Sequence, residues 1–144
     1  MREEGKIRHV GLSNVTLAQL AQAQRIVPIV TVQNHYNLAM RQSEQMTVAE
    51  SEEMIDLCSR QGIGFIPWSP LSFGELARSG GALDRIALRH DATPSQIALA
   101  WLLKRSSTVL PIPGTASVKH LEENLVGATI KLSQEEFDAV DQAS

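Results

Sequence analysis

Four short apolar runs punctuate the chain. They are HVGLS (His9 to Ser13), IVTVQ (Ile29 to Gln33), IGFIPW (Ile63 to Trp68) and TVLPI (Thr108 to Ile112). Each carries β-branched or aromatic residues and lacks the long polar alternation of a half-exposed strand, so each reads as a buried strand. Pro67 and Pro111 have no backbone N–H to give a ladder, which argues against regular pairing at those strand ends.

Between the runs the period changes from two to the helical 3.6. TLAQLAQAQRI opens at Thr16 with Gln19 three residues on, a capping box. AESEEMIDLCSRQG puts Met54, Ile55 and Cys58 on one face and stops at Gly62, a helix C-cap. GALDRIALRH predicts a short helix up to His90. TPSQIALAWLLKR has Thr93 as N-cap, Pro94 at the first helical position and Gln96 closing the box. Its centre is apolar almost all round, so it should be deeply buried. SVKHLEENLVGA follows the last strand. SQEEFDAVDQA carries Ser133 and Glu136 as a further capping box.

The order is (βα)₄ plus one C-terminal helix. Such alternation implies a parallel sheet with helical crossovers. Two architectures fit, an open doubly wound sheet or part of a (βα)₈ barrel. A whole barrel takes roughly 250 residues, and 144 residues holding four units is about half of one. The barrel reading predicts one unit over 1–144, with four parallel strands in the order 1-2-3-4 and helices on one side. Val10, Val30, Val32, Phe65 and Val109 are then expected on the inward face, exposed in the absence of the other half. The outer edges of the first and fourth strands would be open to self-association.

Composition adds limits rather than direction. Net charge is −3, with no basic stretch that would mark a nucleic-acid surface. No apolar run is long enough to span a membrane, and the N-terminus MREEGKIRHVG has no apolar signal core. Cys58 is the single cysteine, read as a small buried hydrophobe. The cytoplasm is the expected compartment.

In either architecture ligands bind at the C-terminal ends of the strands. Those ends offer Ser13 and Asn14; Gln33, Asn34 and His35; Trp68, Ser69, Pro70 and Leu71; and Gly114, Thr115 and Ser117. Amide side chains donate and accept, the indole is a flat platform, and the last set surrounds a helix N-terminus suited to an anion. Together they suit a nucleotide with a planar, amide-bearing ring. Taken singly, each has a plainer reading. Asn14 is a turn residue, Thr115 and Ser117 are caps, Trp68 is a core aromatic, and Lys119, Glu122 and Glu123 form a solvated helix face. His9, His35 and His90 stand in no local catalytic or metal-binding motif. Convergence of four strand ends favours the site.

Five stretches in order, GKIRHVGLSN, VQNHYN, GIGFIPWSPL, ATPSQIALAWLL and LPIPGTASVKHLEEN, carry a resemblance across essentially the whole chain. It resembles the C-terminal half of the aldo-keto reductases, (βα)₈ barrels that use NADPH without a Rossmann domain. The resemblance implies that Ser13, Asn14 and Gln33 bind the nicotinamide carboxamide and that Trp68 stacks on the ring. It implies that Ser69 and Leu71 face the pyrophosphate, that Gly114, Thr115 and Ser117 wrap the adenosine phosphates, and that Glu123 and Asn124 read the adenine. His120 stands where many members carry an arginine for the 2′-phosphate, and Gly114 where others place a lysine. The implied cofactor is NADP, with NAD as the alternative; the sequence itself has no metal-ligand spacing, so no metal is expected.

The family's proton-donating tyrosine and its lysine, aspartate and histidine come from the first four strands. The one tyrosine here, Tyr36, follows the second run and is not in that place. No catalytic residue is assigned. A small carbonyl substrate is expected only if the missing half completes the barrel. The competing readings are a non-catalytic dinucleotide-binding or interaction module and a truncated gene product.

Overall fold

The computed structural model describes residues 1–39, 46–71 and 82–142. Gly81, expected at the start of the third helix, and Ala143, expected at the end of the sixth, lie outside the described residues. Three strands, β1 (Val10–Ser13), β2 (Ile29–His35) and β3 (Gly64–Trp68), form a parallel sheet in the order β1-β2-β3. Among the described residues six helices accompany them: α1 (Leu17–Gln24), α2 (Val48–Gln61), α3 (Ala82–Arg89), α4 (Pro94–Arg105), α5 (Val118–Gly127) and α6 (Gln134–Gln142).

The helix ends follow local chemistry. Thr16 with Gln19, Thr93 with Gln96 and Ser133 with Glu136 close reciprocal capping boxes. Thr47 and Glu50 form one more, two residues before the helix expected from the apolar pattern. Gly62 ends α2 in the left-handed region, φ 65°, which glycine adopts without steric cost.

The fourth strand is shorter than expected. Thr108 to Leu110 makes a single parallel bridge, Val109 to Phe65. Phe65 N–H donates to the Thr108 carbonyl at 2.8 Å and Leu110 N–H to the Phe65 carbonyl at 2.8 Å. The next rung would need an N–H from Pro67, which has none, so the ladder stops there. The order predicted for four strands survives as three strands plus this one bridge.

The inward-face expectation is overturned for the residues at its centre. Leu12, Val32, Phe65 and Val109 lie in register across the sheet. Val32 (0% exposed), Phe65 (1%) and Val109 (2%) are core residues under the helices. The reason is parity: one residue along, the other face carries Gly11, Ser13, Thr31, Gln33, Gly64 and Ile66. Gly11 is small because a Cβ there would run into the Thr31 hydroxyl. Only Val10, half-buried, and Val30, exposed, fall outside the core.

The core sits between this sheet and α4, whose residues Gln96 to Leu102 are all buried. Trp101 stacks between Tyr36 (centroids 5.8 Å) and Phe137 (5.8 Å), a geometry that adds to the area such rings bury. Arg105 bonds Glu52 and Asp56 across α2. Burial opposes its charge, but those carboxylates outweigh it and hold the guanidinium above its ordinary range. On α6, the Glu136 carboxyl is lowered from its ordinary value, first by the Ser133 backbone N–H and, against the opposing desolvation, by His90 and Arg89. Cys58 is buried and its thiol is pushed up to about 11 by desolvation, the behaviour of an inert core thiol.

Candidate functional site

The ends of β1, β2 and β3 meet in one hydrogen-bonded cluster. Asn14 N–H donates to the Gln33 carbonyl at 2.9 Å, carrying the parallel ladder one residue past β1. The Trp68 indole Nε1–H donates to Asn14 Oδ1 at 2.8 Å. Ser13 pairs with Gln33 in register. These four residues therefore form one surface at the C-terminal mouth of the sheet.

Asn14 (φ 52°) and Ser69 (φ 55°) sit in the left-handed region, each immediately after its strand. Asparagine tolerates this conformation; a serine there carries strain on the order of 1 kcal/mol or more. Asn37 Nδ2 donates to the Ser69 carbonyl at 2.9 Å and supports that turn. Asn34, a strand-end residue by sequence, points the other way. It is buried, accepts from Val15 N–H and donates to the Val15 carbonyl, so it fixes the loop after β1.

From Ser69 the mouth continues into a cleft of about 740 Å³. Seven of the twelve expected binding residues line it: Ser69, Leu71, Gly114, Thr115, His120, Glu123 and Asn124. Ser13, Asn14, Gln33 and Trp68 form the mouth. Ser117 lies outside the lining and caps α5, accepting from His120 N–H at 3.4 Å. Thr115 Oγ1 in turn accepts from Ser117 N–H at 3.1 Å.

Two features of the cleft ask for a ligand. Ser69 Oγ is buried and has no hydrogen-bond partner among the described residues, a costly arrangement unless something else supplies the bond. At Gly114 a Cβ would meet nothing within 4 Å and φ is not positive, so the protein itself does not require glycine there. The cleft wall also holds one carboxylate, Glu123, and Lys119 on the same helix lies 3.8 Å from it, offsetting its charge.

Sequence reasoning missed one contributor and left another, the strand-end His35, without a role. The start of α4, Thr93 to Gln96, forms a wall of the cleft. Its capping box was readable, but nothing local says that it faces α5. His35 lies at the end of β2 with its ring 4.3 Å from the Trp68 ring. Tyr36, by contrast, is fully buried on the helix side, its hydroxyl donating to Glu52 at 2.7 Å. It does not reach the mouth. Among the described residues no group of three His, Cys, Asp or Glu could hold a metal ion. No described helix is long and apolar enough to cross a membrane.

The sequence model of the Aldo/keto reductase family matches residues 1–144. The chain belongs to the aldo/keto reductase family. It is 42% identical over 144 residues to pyridoxine 4-dehydrogenase of Escherichia coli, covering all of this chain and 47% of that protein. A thermostable aldo-keto reductase, Tm1743, solved with the inhibitor epalrestat, superposes with a TM-score of 0.86 at 35% identity, over 98% of this chain and 50% of that one. An aldo-keto reductase from Klebsiella pneumoniae in complex with NADPH gives 0.82 at 27% identity, over 98% and 49%. This chain thus spans about half the length of the relatives it matches, and its fold is half of their (βα)₈ barrel.

Proposed function

We propose that the chain is the NADP(H)-binding half of an aldo/keto reductase, inactive as a reductase by itself. The observation that carries this reading is the buried, unsatisfied Ser69 hydroxyl in a cleft walled by α5, with Ser69 following directly on Trp68, which bonds Asn14 at the mouth. A dinucleotide needs that sequence of environments: phosphate donors beside a helix N-terminus, then a flat ring with amides for a carboxamide. The bound cofactor supplies a hydride to a carbonyl carbon. Ser13, Asn14 and Gln33 orient the carboxamide, and Trp68 carries the ring. Ser69 and Leu71 hold the pyrophosphate, while Gly114, Thr115 and Ser117 enclose the adenosine phosphates. His120 meets the 2′-phosphate, and Glu123 and Asn124 read the adenine. NADPH bound to the Klebsiella relative supports this choice.

A reductase would also need the other half to bring a general acid and a small aldehyde or ketone; the relative named for pyridoxine is one such specificity. The open β1 edge is the proposed site of self-association when that half is missing. The lone buried thiol fits the cytoplasm, where cysteines stay reduced. A non-catalytic dinucleotide-binding module is the second reading, favoured by the burial of Tyr36 away from the mouth.

NADPH titration of the purified chain, read by quenching of tryptophan emission, tests the assignment. Saturable quenching is expected, and Gly114→Val should weaken it at least about tenfold at unchanged melting temperature. That side chain enters space the folded chain leaves open, where only a ligand would meet it. Absence of NADPH binding by the wild type overturns the reading.

A further inference from the structure

We propose that His35 is a positioning residue that sets the nicotinamide platform, an inference that rests on the cofactor reading above. Three observations meet at this side chain. Its ring lies 4.3 Å from the Trp68 ring at an interplanar angle of 42°. Asn37 Nδ2 sits 3.4 Å from His35 Nε2 and donates to the Ser69 carbonyl at 2.9 Å. On its other side Trp68 is tied to Asn14 by its indole N–H.

The result is a continuous chain, Asn14–Trp68–His35–Asn37–Ser69, running from the mouth into the cleft. The Asn37 amide holds the His35 ring edge at 3.4 Å, with the roles in that contact set by the imidazole tautomer. The indole is then fixed twice, by the hydrogen bond at its nitrogen and by the imidazole against its ring. A planar ring stacked on Trp68 must use the face His35 does not occupy. Trp68 also takes the Asn14 Oδ1 for itself, leaving Asn14 its Nδ2 to donate to a carboxamide oxygen. Preorganisation of this kind raises affinity by reducing what binding must immobilise.

The test uses two ligands, NADPH and adenosine 2′,5′-bisphosphate, the second lacking the nicotinamide. His35→Ala should weaken NADPH binding about threefold to tenfold, the range of an aromatic contact, and leave the bisphosphate unchanged. His35→Gln, which keeps a hydrogen-bonding group without the ring, should behave like His35→Ala. His35→Phe should restore most of the NADPH affinity, and its melting temperature shows whether the fold is kept. Equal NADPH affinity in wild type, His35→Ala and His35→Gln overturns the inference alone. Equal losses for both ligands also overturn it, since they mark a general structural role. A wild type that binds neither ligand removes the cofactor reading and this inference with it; one that binds both equally leaves the phosphate site standing and overturns the platform.

Discussion

His120 stands on the first turn of α5, exposed and in the wall of the cleft. A guanidinium at such a position binds phosphate through a planar fork and is always charged; an imidazole offers one donor when neutral. Lys119 is 81% exposed and turned toward Glu123, so it offers little help at a 2′-phosphate. The expected outcome is modest discrimination. His120→Ala should weaken NADP binding about twofold to fivefold and leave NAD unchanged, while His120→Arg should strengthen NADP binding by a similar factor. Parallel titrations of both dinucleotides decide it, and equal effects on NADP and NAD would remove His120 from the 2′-phosphate. Several site residues were readable in the sequence because their chemistry is local: an amide just past a strand, a Gly-Thr pair before a helix. His35 was placed at a strand end but its role was not readable, because a histidine in the polar stretch QNHYN looks the same whether it faces solvent or an indole. Ser95 was hidden for another reason, since its place depends on how α4 lies against α5.

That contact between α4 and α5 is the element on which the cleft depends. Gly127, the last residue of α5, lies against α4, and a Cβ there would approach the Gln96 carbonyl oxygen at 3.2 Å and Gln96 Cα at 3.3 Å. Gln96 also donates from Nε2 to the Glu123 carbonyl at 2.9 Å. Two effects oppose one another in Gly127→Ala. Helix propensity favours alanine by up to about 1 kcal/mol, while forcing helix backbones apart costs typically 1–3 kcal/mol. Both neighbours are backbone atoms inside a buried, capped helix and cannot swing away, so sterics should win by about 1 kcal/mol. The same shift moves Glu123 and Asn124, so NADPH affinity should fall with the melting temperature; a rise in melting temperature would show that the contact relaxes freely. The helices themselves were legible, since capping boxes and the Gly62 stop are written within a few residues. The fourth strand was legible only as an apolar run. Its pairing fails because the missing N–H of Pro67 faces the fourth segment rather than β2, and which way that nitrogen points follows from sheet order. The same dependence on parity moved Val32, Phe65 and Val109 from the expected inward face into the core.

At the scale of the whole molecule, the sheet is finished on its helix side and open on the other. Leu110 (55% exposed) and Ile112 (47%) border the open face, and α5 adds a stripe of Val118, Leu121 and Leu125, all exposed. These are surfaces that a second half-barrel would cover, and their polar centre, Ser13, Thr31 and Gln33, is where a ring and its substrate would lie. What this half holds is binding chemistry. Its only tyrosine is fully buried beyond the sheet with its hydroxyl on Glu52, and Lys104 donates to the Leu132 carbonyl. A positioned general acid is worth about 10²–10⁴-fold in rate, and none is assigned among the described residues. The 144-residue chain with NADPH and a reactive aldehyde should therefore consume no more NADPH than a control without protein, even at cofactor concentrations that saturate tryptophan quenching. Consumption above the control would place an unassigned proton donor in this half and overturn its reading as a binding half only.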